Sequence, residues 1–288
     1  MLSPSPKLNV IVLGVIGRAL SLYPGVRIYL FKVMSNHYHM IVSAPDADTL
    51  SAFMGHINGN IAKEVSRLTG WDAKFWGRRY RPLAIRDRGA LIRSVKYILS
   101  HGCKEGLVLE PREWPGVGCE RALLFGEKLE GVWYDRTAMC EAERRGKDVR
   151  LEDFAISYEV PLTPLPFLED ASEEEARKFY QRLEAEIIEE TRKKLTEEGK
   201  QPLGVETIMC QDPFSRPRNP KKSPAPFCHA SSRRTRRKYM RAYKWFVARY
   251  RRAVEKLRRG EQNVEFPENC FLPPIAYRGA PAMGVAPG

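Results

Sequence analysis

Four side chains carry the chemistry this sequence can support: His37, His39, Tyr97 and His101. His37 and His39 flank Tyr38 within residues 26–44, which read as two β-strands joined by the tight turn Met34-Ser35-Asn36. Side chains alternate faces along a strand, so the two imidazoles share one face and Tyr38 points to the other. Paired imidazoles can converge on one divalent cation. Tyr97 and His101 stand four apart in residues 88–101, where Leu91, Ile92, Val95, Ile98 and Leu99 mark an amphipathic helix. That spacing stacks them on one helical face. A helix laid across the strand pair would bring a third imidazole to the cation and a phenol beside it. The cation would polarise a phosphodiester oxygen, and the phenol of Tyr97 would attack the phosphorus in line. A free tyrosine titrates at about 10, so the phenol needs the cation or a base to assist it. The covalent phosphotyrosine conserves bond energy for rejoining a strand, and the sequence has no P-loop that would imply ATP. A three-histidine hydrolase that ignores Tyr97 is the alternative chemistry for the same residues.

The elements that must position these groups follow from hydrophobic spacing. Residues 8–22 read as a buried helix closed by Pro24-Gly25. A second helix starts at 46–49 and carries Leu50, Phe53, Met54, Ile57, Ile61, Val65 and Leu68 at three-to-four spacing up to Gly70. Residues 71–85 read as a short strand or loop in which Arg78, Arg79 and Arg81 alternate with aromatic rings, a pattern that suits single-stranded DNA. Gly102 ends the helix that carries Tyr97. His56 and His229 read as solvated bystanders.

The order helix, strand, strand, helix, strand, helix predicts an α+β fold. It is a ferredoxin-like antiparallel sheet with helices on one face, its first strand missing because the sequence begins only seven residues before Leu8.

The formal net charge of +13 is unevenly distributed. Residues 1–125 carry +8, residues 126–230 carry −5, and residues 231–260 carry +12. Two basic regions around an acidic middle point to a polyanionic partner, most simply nucleic acid. Four regions follow: a catalytic domain over 1–125, an acidic helical segment over 126–210, a Pro-rich basic linker over 211–232, and a basic helix with a mobile tail over 233–288. The middle segment contains a helix opened by the capping box Ser172-Glu173-Glu174-Glu175. The last helix aligns Tyr239, Tyr243, Phe246, Tyr250, Val254 and Leu257 in a packing stripe. Arg233, Arg234, Arg236, Arg237 and Lys238 are its candidate phosphate contacts. Six cysteines without a CxxC pair point to free thiols in a reducing compartment, hence a cytoplasmic protein. The apolar run over 8–16 is too short to span a bilayer.

Three motifs resemble one family. MSNHYHMIV resembles the strand of the single-tyrosine HUH transposases, especially the branch related to the REP-associated tyrosine transposases. RSVKYILSHGCKEGLV resembles that branch's catalytic helix, usually YI-x-x-NP-x-x-x-GLV, and REWPG at 112–116 matches its WP element. The resemblance covers about residues 3–121. It implies cleavage and rejoining of single-stranded or hairpin DNA through a 5′-phosphotyrosine, with Mg²⁺ or Mn²⁺, by a monomer or homodimer. Tyr97 takes the nucleophile's position, and His37 and His39 take those of the metal-binding pair. His101 stands where the family often has Asn or Gln. A family member that grips structured single-stranded DNA or RNA without cutting it is the alternative function.

Overall fold

A computed structural model describes residues 2–215 and 227–273. The chain begins with α1 (Pro6–Leu22), whose first turn is closed by Ser5 Oγ accepting from Leu8 N and by Pro6 at its start. Leu8, Ile11, Val12, Val15, Ile16 and Ala19 of α1 are buried. The antiparallel pair β1 (Arg27–Val33) and β2 (Tyr38–Ser43) follows, with Lys32 opposite His39 and Phe31 opposite Met40. Next come α2 (Ala47–Thr69), capped by Asp46 and ended by Gly70 at φ 70°, and α3 (Arg88–Leu99), capped by Asp87. Local chemistry alone sets these starts and stops, which is why they match the sequence reading.

The α+β class holds. The sheet bearing the histidine strand has two strands among the described residues, and residues 71–85 form loop apart from a single bridge, Ile85 with His229. The outer edge of β1 is covered by loop. Val33 N donates to Val117 O, Trp114 Nε1 donates to Val33 O, and Thr163 N donates to Ile28 O. Among the described residues, no backbone hydrogen bond reaches the outer edge of β2.

The middle region is not wholly helical. It follows α4 (Glu120–Phe125) and, besides α5 (Arg136–Arg144), α6 (Glu173–Glu197) and α7 (Val205–Met209), holds the antiparallel pair β3 (Glu130–Tyr134) and β4 (Ala155–Glu159). These five-residue strands are too short for alternation to reveal. They are held by α1, far away in sequence. Arg18 Nη1 donates to Tyr158 Oη at 2.9 Å, and Arg136 pairs with Glu64 of α2 at 2.8 Å. One hydrophobic core runs from Leu2 through Ile208, and Tyr180, Leu183 and Ile187 of α6 belong to it.

Glycines permit the closest of these contacts. A Cβ on Gly14 would lie 2.1 Å from the carbonyl carbon and oxygen of Val132, and one on Gly131 would lie 2.1 Å from Gly14 N. Backbone meets backbone, so neither side can yield. Gly14→Ala is expected to cost about 3 kcal/mol, the upper part of the range for overpacking. Gly55→Ala, where nothing lies within 4 Å, is expected instead to stabilise α2 by up to about 1 kcal/mol. Urea denaturation of the two variants checks this; equal effects would show that β3 is not seated on α1.

The basic helix α8 (Arg233–Arg258) buries only Ala253. Its aromatic stripe packs on short flanking segments, with Tyr239 and Tyr243 against Phe227 and Tyr250 against Phe266. Most of the expected linker (216–226) and the tail (274–288) lie outside the described residues.

Candidate active site

The turn between β1 and β2 closes with Met34 N donating to His37 O, so His37 sits at the turn's end and His39 one pleat into β2. After α3 the chain turns sharply at Gly102, φ 91°, with Leu107 N donating to Gly102 O. Proline, fixed near −65°, has no access to that φ. His101-Gly102 is therefore a different turn from the Asn-Pro of the resembling family. Val108 and the Trp114 ring pack against Gly102 and hold the turn over the sheet.

These two elements bring the sequence-predicted donors together within one chain. One ligand nitrogen from each of His37, His39 and His101 lies within 4.8 Å of the others. The His39 and His101 rings are 4.4 Å apart, and the Tyr97 ring lies 4.7 Å from His101 and 5.7 Å from His39. His101 is buried, His39 half-buried and His37 exposed, while Tyr97 is 52% exposed at the mouth. The cluster thus opens to solvent on the side where the phenol stands.

Two hydrogen bonds at Nδ1 orient histidines of the cluster. His37 Nδ1 pairs with Asn36 Oδ1 at 2.6 Å, and His101 Nδ1 pairs with Tyr97 O at 2.8 Å. With Nδ1–H donating in both, each Nε2 keeps its lone pair. Lys104 Nζ lies 3.1 Å from His101 Nε2 and 3.5 Å from the Tyr97 ring centre, so this corner of the cluster already faces a cation. Converging neutral imidazoles fit a divalent ion, which would take the place of the Lys104 ammonium at His101 Nε2.

Burial keeps the imidazoles neutral. Desolvation by the surrounding protein lowers the pKa of His37 even though that residue lies exposed at the rim; with the neighbouring charges of His37 and Lys104, burial lowers His39 to about 4. Burial is also the main cause that takes His101 to about 3. Tyr97 is raised by burial and by the Glu105 carboxylate, so the phenol is protonated at neutral pH. The linkage to stability has a definite sign. The unfolded histidines titrate near 6.5 and the folded ones lower, so below about pH 6.5 the unfolded chain binds more protons. Stability is expected to fall from about pH 6.5 toward 4, and His39→Asn is expected to flatten the dependence. Thermal melts across this range check it; an identical slope in the variant would count against the neutral cluster.

Lys104, Glu105 and Asn36 escaped the sequence reading. Lys104 is seven residues after Tyr97 and three after His101, a helical spacing that was the available signal. The acidic middle region also has a part near the site. Lys96, next to Tyr97 in α3, pairs with Glu186 and Glu190 of α6, and Lys194 Nζ donates to the Lys104 carbonyl. Leu203 N and Gly204 N donate to the carbonyls of Gly106 and Leu107, bracing the same loop.

Of the basic residues, Arg78 and Arg79 are exposed on a cleft of about 380 Å³ with Ser51, Asn58, Trp76 and Tyr80. Tyr38 ties this cleft to the back of β2: its hydroxyl donates to Asn58 Oδ1, and Trp76 Nε1 donates to Asn58 O. Arg81 is exposed in the same loop. Arg233, Arg234, Arg236, Arg237 and Lys238 are exposed at the start of α8. Ser231 N donates to Asp87, the cap of α3, so this cluster begins at the far end of α3 from Tyr97, about 15 Å along the axis.

Two histidines differ from expectation. His56 is not solvated: its ring lies against Tyr23 and Trp133, and its Nε2 is buried without a protein hydrogen-bond partner, because the β3–β4 pair covers that face of α2. The His229 backbone pairs with Ala84 and Arg86, and its ring is half-buried.

Residues 14–101 match the protein family described as "Transposase IS200 like", a span that contains His37, His39, Tyr97 and His101. No curated protein and no solved structure matches the chain. No helix among the described residues is long and apolar enough to cross a membrane.

Proposed function

We propose that this chain, whose residues 14–101 match the IS200-like transposase family, cleaves and rejoins single-stranded DNA through a covalent bond to Tyr97. The observation that carries the reading is the meeting of three imidazoles, ligand atoms within 4.8 Å, with a half-exposed phenol 4.7 Å from the nearest ring. His37, His39 and His101 would hold a divalent cation, Mg²⁺ or Mn²⁺ on the resemblance, which when bound supplies Lewis-acid polarisation of a phosphate oxygen.

The remaining roles belong to the chain. Tyr97 Oη loses its proton and bonds to phosphorus, the phosphorus bond to the 3′ oxygen breaks, and that oxygen leaves as a 3′-hydroxyl bearing a proton. Reversal with a new 3′-hydroxyl releases Tyr97 and joins the strands. The Lys104 ammonium, poised over the phenol ring, offsets charge on the phosphate as the bond forms. Glu186 and Glu190 of α6 engage the Lys96 ammonium and so tie α6 to the helix that carries Tyr97. The arginines and rings of 76–81 suit an unpaired strand arriving past the unpaired edge of β2. The α8 cluster suits the phosphates of a flanking duplex such as a hairpin stem. The ferredoxin-like descent of the β1–β2 sheet, the REP-associated branch and a cytoplasmic location belong to the same reading. Mass spectrometry of a DNA-linked peptide containing Tyr97 is the test; tight binding of hairpin DNA with no linked peptide overturns cleavage in favour of a binding protein.

A further inference from the structure

We propose that His37, His39 and His101 form an all-nitrogen cation site that takes a borderline transition ion such as Co²⁺ or Zn²⁺ in strong preference to Mg²⁺. The proposal deepens the reading above, on which it rests only for the ion's use in phosphoryl transfer.

The donors decide the selectivity. Where the resembling family offers an amide at the position of His101, this chain offers imidazole. The nearby oxygens are engaged elsewhere. Asn36 Oδ1 accepts from His37, Glu105 Oε2 accepts from Gly102 N at 2.7 Å, and Glu105 Oε1 faces Lys104 at 3.7 Å. Mg²⁺ demands oxygen ligands in near-octahedral geometry and sheds water reluctantly. Imidazole suits zinc, nickel and iron, and affinity for nitrogen sites rises along the first transition row from manganese.

The geometry is close to what such an ion needs. At metal–nitrogen distances of about 2.0–2.1 Å, tetrahedral nitrogens lie about 3.4 Å apart. The three nitrogens within 4.8 Å reach that spacing by small side-chain rotations, for which exposed His37 has room. The partners of His37 and His101 at Nδ1 leave Nε2 as the nitrogen of each ring that can ligate. Lys104 is the one group to be displaced, and Glu105 is at hand to receive it.

The full-length protein, titrated with Mg²⁺, Mn²⁺, Co²⁺ and Zn²⁺ by calorimetry and with Co²⁺ by visible absorption, tests this. Co²⁺ and Zn²⁺ are expected to bind roughly a hundredfold tighter than Mg²⁺, with Mn²⁺ between them. His101→Asn is expected to weaken Co²⁺ about tenfold or more, alter its absorption bands and narrow the gap to Mg²⁺. Since His101 is buried, His37→Asn at the exposed rim serves as the second variant, with the same expected loss. Mg²⁺ affinity within about tenfold of Co²⁺ in the unaltered protein overturns the proposal, as does a Co²⁺ spectrum unchanged in both variants. A Tyr97 adduct formed in Mg²⁺ without that preference sinks this inference and leaves the transposase reading standing. Tight, His101-dependent Co²⁺ binding with no adduct in any ion supports the site and sinks that reading.

Discussion

Tyr97→Phe is expected to abolish the covalent protein–DNA adduct on single-stranded or hairpin substrates, lowering cleavage by at least about a thousandfold. The substitution removes one oxygen. The ring's contacts with His101 and Lys104 remain, and the phenol is 52% exposed, so folding and DNA affinity should be unchanged. Denaturing gel electrophoresis of protein incubated with labelled DNA and a divalent cation reads the adduct, and filter binding reads the affinity. Cleavage that persists in the phenylalanine variant would transfer the reaction from the tyrosine to a hydrolytic attack at the histidine cluster. Loss of DNA binding together with the adduct would mean that the Tyr97 hydroxyl itself grips the DNA.

The second large effect lies beneath the histidine strand. Lys32, cross-strand from His39, is fully buried with its Nζ 2.8 Å from Glu120 Oε1 and 3.2 Å from the carbonyl of Leu99. One ammonium thus joins the sheet, the end of α3 and the first turn of α4. Lys32→Met leaves the Glu120 carboxylate buried without its counter-charge, at an expected cost of about 3–5 kcal/mol. The double variant Lys32→Met, Glu120→Leu is expected to recover most of that loss, because two burial penalties vanish together. Chemical denaturation of the singles and the double gives the coupling directly. A cost below about 1 kcal/mol for Lys32→Met would show that the pair is reached by water. Because Leu99 lies two residues before His101, the single variant should also loosen the cation site even where the protein still folds.

Local features of the site were open to reading from the chain. The helix start at Asp46, the Ser172 capping box, the helical spacing of Tyr97 and His101, and the His-x-His alternation depend on neighbours within about one turn or pleat. The β3–β4 pair was hidden because what holds it is α1, through Gly14, Gly17 and Arg18, and two glycines give no pattern until their partner is known. The same pair turned His56 from an apparent surface residue into a covered one. The aromatic stripe of α8 was visible, but the spacing could not say that Phe227 and Phe266, and not the main core, would cover it.

By itself, the sequence determined which atoms are available: three imidazoles, one phenol, no carboxylate among them, and a basic chain to attract phosphate. Those are properties of residue type and short-range period. Only the tertiary structure decided that the imidazoles share one opening with the phenol, that Lys104 stands over both, and that a buried Lys32–Glu120 pair and the far α6 support them. Convergence depends on the sharp turn at Gly102 and on contacts between residues distant in the chain, and no periodicity records either.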